Sequence, residues 1–228
     1  MLNLTSQEPF ATGGRRVCYV HPDHPGRCVK VLRKDRSTQA RLTGNSWVPA
    51  AWRRAYDNNQ DEQRALEMLQ RRWGTDITGL HLPVCYGVID TDLGPGLELD
   101  LIRDEHPGTA GGDPGPVARD LRHYAQGSVP ADDFRPAFEA FGAWLLKHHV
   151  LTRELHDHNL VAQKKADGSW RLVLIDGIGD RAWIPLRRWV TPAARRSVRR
   201  RIASGWSKIE ARFGQTPAPA RPPAHSRS

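Results

Sequence analysis

Residues 153–163 read RELHDHNLVAQ, and this stretch places two acids, two histidines and an asparagine within six positions, Glu154 to Asn159. Three interpretations are open: a metal site, a catalytic loop or a polar turn. Glu154, His156 and His158 alternate, so on a strand they would share one face and could bind a divalent ion. However, no Cys or His pair at a familiar zinc spacing lies nearby, and the metal interpretation is the weaker one.

The segment that follows favours a catalytic loop. LVAQ and WRLVLID flank KKADGS, which predicts a hairpin with Asp167 and Gly168 at its tip. Asn159 then begins the hairpin and Asp176 ends it, so their side chains should lie close together. Amide and carboxylate oxygens are the hard ligands that Mg²⁺ prefers. The sequence therefore predicts a magnesium site at Asn159 and Asp176, with the Glu154 carboxylate placed to orient a hydroxyl or accept its proton.

The N-terminal part reads as a second hairpin. RRVCYV (15–20) and RCVKVL (27–32) are rich in strand-forming residues and are separated by the turn formers of HPDHPG. Gly13 and Gly14 precede it, where a strand could turn closely over a ligand. Lys30 lies in a strand interior, where an amine needs a partner such as a phosphate pair or a helix glutamate.

An amphipathic helix is predicted from residue 59, with Leu66, Leu69 and Trp73 at spacings of three and four. Two strands around a Gly/Pro turn follow. A second helix is expected near 117–126. The next helix, within 132–150, carries a core stripe, formed by Phe134, Phe138, Phe141 and Leu145.

The strongest break in the chain, RDEHPGTAGGDPGP, separates a strand-rich part from a helix-rich part. We therefore expect an α+β protein with an N-terminal lobe at 1–104 and a small helical C-terminal lobe at 105–214. The polar segment 35–58 is interpreted as an insertion or mobile loop. The Pro-rich tail, 215–228, is expected to be disordered.

The formal net charge of +9 is concentrated in one segment. Residues 181–212 hold nine Arg and one Lys against the single acid Glu210, and we expect this segment to be helical from about residue 192. A local basic face suggests contact with an anionic acceptor or an anionic surface, and a solvated helix face is the alternative. No DNA-reading motif supports nucleic-acid binding.

Targeting signals are not expected. No apolar run approaches the roughly 18 residues that a membrane span needs. The N-terminus lacks a charged head followed by an apolar stretch, so we expect a cytoplasmic protein without a secretory signal. Three cysteines at no metal-ligand spacing are typical of reduced structural thiols.

Taken in chain order, these motifs resemble the protein-kinase-like superfamily. ATGGRRVCYV resembles a degenerate Gly-rich loop, and VKV around Lys30 resembles the strand of the phosphate-anchoring lysine. Glu62 matches the partner glutamate of the following helix, with Glu67 as an alternative. TRELHDHN resembles the catalytic loop, closest to that of aminoglycoside-phosphotransferase-like and lipopolysaccharide kinases, and IDGIG resembles the metal-binding DFG motif. More narrowly, three stretches resemble the PhoP-regulatory-network YrbL family over roughly residues 4–190: the opening LTSQEPFATGGRRVCYVHPDHPGRCVKV, the LPVCYG strand and the ending DGIGD…WIPL.

The resemblance implies a two-lobed kinase-like fold that binds ATP and Mg²⁺ in its cleft. Gly13 and Gly14 would cover the phosphates, and Lys30, paired with Glu62, would hold them. Asn159 and Asp176 would be the metal ligands. About 40 residues separate Asp176 from the Pro-rich tail, which we expect to be too few for a protein-kinase substrate platform. The implied acceptor is therefore a small molecule or a sugar.

The chain also departs from the pattern of an active kinase. The aspartate position of the loop is Glu154, and the leading histidine position is Thr152. The longer side chain moves its carboxylate by roughly 1.5 Å unless the loop adjusts, and a misplacement of about 1 Å can cost on the order of 100-fold in rate. The third loop glycine is missing, and Arg15 and Arg16 could contact phosphate instead. A pseudokinase or regulatory scaffold is therefore the alternative.

Overall fold

The computed structural model describes residues 1–33, 58–74, 77–105, 115–127, 129–150, 152, 155–178 and 191–214. The expected mobile loop (except Asn58), the expected disordered tail and Glu154 lie outside the described residues.

The N-terminal part is a five-stranded antiparallel sheet with strand order β1-β2-β3-β5-β4. Its strands are β1 (Ala11–Thr12), β2 (Arg16–Val20), β3 (Arg27–Leu32), β4 (Cys85–Thr91) and β5 (Gly94–Asp100). The hairpins predicted from the β-rich runs are both confirmed, β2 pairing with β3 and β4 with β5. At Gly96 in β5 a larger residue would not fit, because a Cβ there would clash with a methyl group of Val29.

Helix α1 (Asn58–Trp73) packs on this sheet through a stripe at helical spacing. Leu66 and Leu69 are buried, as their periodicity predicted, and so is Ala65. Trp73 was expected on the same stripe, but its side chain is 38% exposed, and its ring contacts His148 at 5.4 Å between centroids. The last helical turn thus leaves the sheet and contacts the C-terminal part instead.

The C-terminal part combines helices with a three-stranded sheet of order β6-β7-β8. Its elements are β6 (Arg119–Asp120), α2 (Leu121–Ala125), α3 (Arg135–Lys147), β7 (Leu160–Lys164), β8 (Trp170–Leu174) and α4 (Thr191–Phe213), with short 3-10 turns at Ala131–Phe134 and Asp157–Asn159. The β7–β8 hairpin is confirmed, and Gly168 at its tip has a φ of +83°. That backbone conformation favours glycine.

The helix expected near 117–126 is shorter than predicted. Residues Arg119–Asp120 pair with β7 as β6, and α2 begins only at Leu121. The Asp120 side chain accepts a hydrogen bond from the backbone N–H of His123 at 3.0 Å and so caps the helix.

One cluster of buried side chains extends from the N-terminal sheet and α1 to α3 and the β7–β8 hairpin. The predicted core stripe of α3 is confirmed: Phe134, Phe138, Phe141 and Leu145 are all buried. The two parts of the chain therefore share a core, which fixes the hairpin relative to the sheet.

Helix α4 begins close to the predicted position and packs on α3. Its buried contacts come from Val198 and Ile209, and Gly142 of α3 lets Ile202 approach closely. Most of the arginines of α4 lie on its exposed side. Among the helices that the structure describes, none is both long and apolar enough to cross a bilayer.

Candidate functional site

The register of β2 and β3 places two cationic side chains on one face of the sheet. Cys18 is the partner of Lys30 across the strands, and Arg16 lies two residues before Cys18. Residues two apart on a strand point to the same face, so Arg16 and Lys30 share that face. Both are buried, with relative exposures of 6%. Two buried cations require acidic partners.

Lys30 is held by two oxygens from different parts of the chain. Its Nζ lies 2.9 Å from Oε1 of Glu62 on α1 and donates to the carbonyl oxygen of Ile175 at 2.6 Å. Of the two glutamates considered from the sequence, Glu62 is the one that pairs with Lys30. Glu67 instead contacts Gln63 and Arg71 on the outer face of α1.

Arg16 bridges the two acids of the site. Its Nη1 pairs with Oε2 of the buried Glu62, and its Nη2 lies 2.8 Å from Oδ2 of Asp176. Burial lowers the pKa of Arg16, but Glu62 and Asp176 outweigh this effect and raise it, so the guanidinium stays charged. A phosphate contact was suggested for Arg16 from the sequence, whereas the structure places its guanidinium between two carboxylates.

Asp176 follows β8 at the mouth of this charge cluster. Its Oδ1 accepts a hydrogen bond from the N–H of Gly177 at 2.6 Å, and Gly177 has a φ of +82°, a conformation that favours glycine. Burial raises the pKa of Asp176, but Arg16 and then Lys30 outweigh it, so this pKa lies below its ordinary value. The carboxylate is therefore ionised at neutral pH.

Asn159 lies at the opposite end of the same hairpin. Its carbonyl oxygen accepts a hydrogen bond from the N–H of Ile175 at 2.9 Å, which brings its backbone beside the residue that precedes Asp176. Asn159 and Asp176 thus flank the β7–β8 hairpin, Asn159 directly before β7 and Asp176 shortly after β8. Amide and carboxylate oxygens are hard donors suited to Mg²⁺, so the residue types fit the predicted metal.

The described residues around the catalytic-loop motif are fixed by contacts with two other elements. Thr152 is buried and forms an isolated antiparallel bridge with Ile178, two residues after Asp176. Leu155 is also buried and packs against Gly205 of α4. A Cβ added to Gly205 would lie 2.8 Å from the Cβ of Leu155. Glu154, the predicted catalytic acid, lies between these two residues in sequence but outside the described ones.

The histidine-cluster interpretation gains no support. The rings of His156 and His158 stack with centroids 5.1 Å apart and planes 13° apart, and His158 contacts Asp157. Among the residues that the structure describes, no group of three or more His, Cys, Asp or Glu side chains is arranged to hold a metal ion. These histidines therefore order the loop through local contacts.

Gly13 and Gly14 form the exposed turn between β1 and β2. The N–H of Gly13 donates to the carbonyl oxygen of Arg16 at 2.8 Å, and neither glycine has a positive φ. A Cβ on Gly14 would meet nothing within 4 Å. The backbone conformation would accept a larger residue at this position, so a requirement for glycine there would come from a ligand.

Two residues of the site were not foreseen in their observed role. Asn59 is buried, donates from Nδ2 to the carbonyl oxygen of Lys30 at 2.8 Å and accepts from Arg16 at 3.4 Å. Arg16 was noted only for phosphate contact. Strand alternation could have placed Arg16 beside Lys30, but the partnership with Asp176 depends on tertiary structure.

Comparison with known proteins identifies the family of the chain. The sequence matches the family described as PhoP regulatory network protein YrbL over residues 2–212. YrbL of Escherichia coli (strain K12) and YrbL of Shigella flexneri are each 24% identical over 192 residues, covering 83% of this chain and 79% of the relative.

The fold is also shared with a solved kinase. A double mutant of the PknI kinase domain from Mycobacterium tuberculosis superposes with a TM-score of 0.50 and 15% identity, covering 92% of this chain and 76% of that domain. At this identity the likeness concerns the fold alone, and it agrees with the α+β, two-lobed, kinase-like architecture expected from the sequence. Given the match across nearly its whole length, the chain belongs to the PhoP regulatory network protein YrbL family, with a protein-kinase-like fold.

Proposed function

We propose that this protein binds Mg-ATP in the cleft around Lys30 and transfers phosphate to the hydroxyl of a small molecule or sugar. The observation that carries the proposal is the position of the Lys30 amine, which lies 2.9 Å from Glu62 and 2.6 Å from the carbonyl oxygen of Ile175. This contact fixes a buried cation directly beside Asp176. A cation held in this way is suited to the phosphates of a nucleotide.

The other roles follow from the residues around Lys30. Asn159 and Asp176 would hold Mg²⁺, which when bound neutralises phosphate oxygens. Gly13 and Gly14 would let the β1–β2 turn approach the phosphates. Glu154 would orient the acceptor hydroxyl and receive its proton. The loop sequence ELHDHN, closest to that of small-molecule kinases, supports a small acceptor, and a cytoplasmic location belongs to the same proposal.

Calorimetric titration with ATP, with and without Mg²⁺, tests the proposal. We expect magnesium-dependent binding that weakens about tenfold or more in Lys30→Met and Asp176→Ala, because each change removes a charged contact. Lys147→Met, which removes an exposed lysine at the end of α3, is the matched control and should bind like the unchanged protein. Undiminished ATP affinity in Lys30→Met or Asp176→Ala would refute the assignment of the cleft.

A pseudokinase or regulatory scaffold is the second candidate, and one contact favours it. Asp176 is already paired with Arg16 at 2.8 Å, so a protein cation lies against the carboxylate that would hold the metal. Glu154 separates the two candidates. Restoring aspartate in Glu154→Asp should raise ATP turnover in an impaired kinase and leave a scaffold inactive, and a radiolabelled ATP assay measures the difference.

A further inference from the structure

A cavity lies between α4 and the end of the catalytic-loop motif, and it includes none of the charged residues of the cleft. Its volume is about 240 Å³, and its apolar floor is formed by Leu155 and Gly205. Gly205 allows this contact because any Cβ there would come within 2.8 Å of the Leu155 Cβ. The cavity therefore adjoins the residue that directly follows Glu154 in the sequence.

Among the described residues that line this cavity, the charged ones are all basic. Arg200, Arg201 and Lys208 line it, and no carboxylate is found among the described lining residues. Within the part of the chain that the structure describes, neither Arg200 nor Arg201 takes part in a hydrogen bond or an ion pair. Guanidinium groups with free donors bind phosphate oxygens in bidentate fashion.

Two hydroxyl groups complete the polar wall. Ser197 is buried at 3% exposure and Ser204 lies at the rim, and both line the cavity. The two serines, Arg201 and Lys208 follow one another at spacings of three or four residues, so these four side chains lie on one face of α4. Hydroxyl donors beside guanidinium groups suit the several acceptor oxygens of a phosphate group.

We infer that this cavity binds the phosphate group of a small phosphorylated acceptor, such as a sugar phosphate. The inference rests on the proposed phosphotransfer, because the cavity would anchor the acceptor of that reaction beside the catalytic-loop motif. The volume of about 240 Å³ falls just below the roughly 300–1,000 Å³ of most small-molecule pockets, which limits the ligand to a phosphate with a short attached group. The two positive arginines select an anion over a neutral sugar.

The test is a calorimetric titration with glucose 6-phosphate, glucose and inorganic phosphate in the absence of ATP. We expect glucose 6-phosphate to bind, glucose not to bind, and Arg200→Gln/Arg201→Gln to weaken binding about tenfold or more, because bidentate charge-assisted bonds are lost. The matched control is Arg195→Gln/Arg196→Gln, which removes the same charge from exposed positions on the same helix. It should retain the affinity of the unchanged protein.

Several results would overturn the inference. Equal weakening in both double variants would mean that the phosphate responds to the diffuse charge of α4 rather than to the cavity. Binding of vesicles containing phosphatidic acid, without binding of either soluble phosphate, would identify a lipid surface as the ligand instead. A circular-dichroism melt of each variant establishes that α4 is intact.

The same titration in Asp176→Ala separates this inference from the proposed function. That variant removes a predicted metal ligand of the cleft and leaves every lining residue of the cavity unchanged. Sugar-phosphate binding that persists when ATP binding is lost supports an independent anion pocket. ATP binding without any sugar-phosphate binding would leave the cleft assignment standing and remove the pocket.

Discussion

Replacing Arg16 with methionine tests the charge cluster of the cleft most directly. Methionine keeps an unbranched apolar stem for packing and removes the guanidinium that bridges Glu62 and Asp176. We expect two separate consequences, a loss of folding stability and a gain in magnesium-dependent ATP affinity. The two effects have opposite signs because they come from different partners of the same side chain.

The stability loss follows from the buried partner. Removing one member of a buried ion pair costs about 3–5 kcal/mol when the other charge is left unpaired. Glu62 is only 5% exposed, but it keeps Lys30 at 2.9 Å after the change. We therefore expect the free energy of unfolding to fall by a smaller amount, about 1–3 kcal/mol.

The gain in affinity follows from the exposed partner. The Asp176 side chain is 43% exposed, so its pair with Arg16 is weakened by solvent. Exposed pairs are worth at most about 1 kcal/mol, and a divalent ion that binds Asp176 must first displace Arg16 at that cost. Removing the guanidinium removes the cost, which corresponds to a gain of up to about fivefold in magnesium-dependent ATP affinity, since 1.4 kcal/mol is tenfold.

Urea denaturation measures the first effect, and calorimetric titration of ATP at several Mg²⁺ concentrations measures the second. Arg71→Met is the matched control, because it removes the same charge from a side chain that is 80% exposed and pairs only with Glu67 among the described residues. It should change neither quantity. A fall in ATP affinity in Arg16→Met would refute the reasoning, because it would mean that Arg16 contacts phosphate rather than competing for Asp176.

Two further substitutions test the neighbouring elements. Gly14→Ala should weaken ATP binding severalfold and change the unfolding free energy by less than about 0.5 kcal/mol. Gly26→Ala is the control, because Gly26 is a turn glycine away from the cleft. Equal ATP affinity in the two variants would contradict a phosphate-covering role for Gly14. Gly205→Ala should lower stability by about 1–3 kcal/mol through overpacking against Leu155, although alanine is normally better than glycine in a helix by about 1 kcal/mol. If urea denaturation shows that Gly205→Ala is stabilising, the segment around Leu155 can shift to accommodate the added methyl group, and the overpacking argument is wrong.

The sequence predicted most of what periodicity determines. Alternation in RCVKVL placed Lys30 inside a strand, and the DG tip predicted the β7–β8 hairpin, whose backbone brings Asn159 beside Ile175, the residue before Asp176. Helix spacing in the sequence could also have decided whether Glu62 or Glu67 pairs with Lys30. Glu62 lies four residues before the buried Leu66 and therefore on the face of α1 that meets the sheet, whereas Glu67 is on another face.

Contacts between distant parts of the chain could not be predicted in the same way. The bond from Lys30 to the Ile175 carbonyl joins residues 145 positions apart, and no local pattern indicates it. The bridging position of Arg16 has the same origin, because it exists only once the β7–β8 hairpin packs beneath the N-terminal sheet. The contact of Trp73 with His148, the residue that follows α3, likewise joins distant parts of the chain.

The four charges of the cleft bear on the choice between kinase and pseudokinase. Lys30 and Arg16 balance Glu62 and Asp176, so the cluster is neutral as it stands. A protein cation beside Asp176 suggests at first a cleft that has given up its metal. However, the Asp176 side chain is 43% exposed, and release of this partly exposed contact costs about 1 kcal/mol, far less than a typical binding energy of about 8 kcal/mol for micromolar affinity. If Asp176 binds Mg²⁺ as proposed, we expect Arg16 to weaken that binding without preventing it, and the choice between the two functions then depends on the acid at position 154.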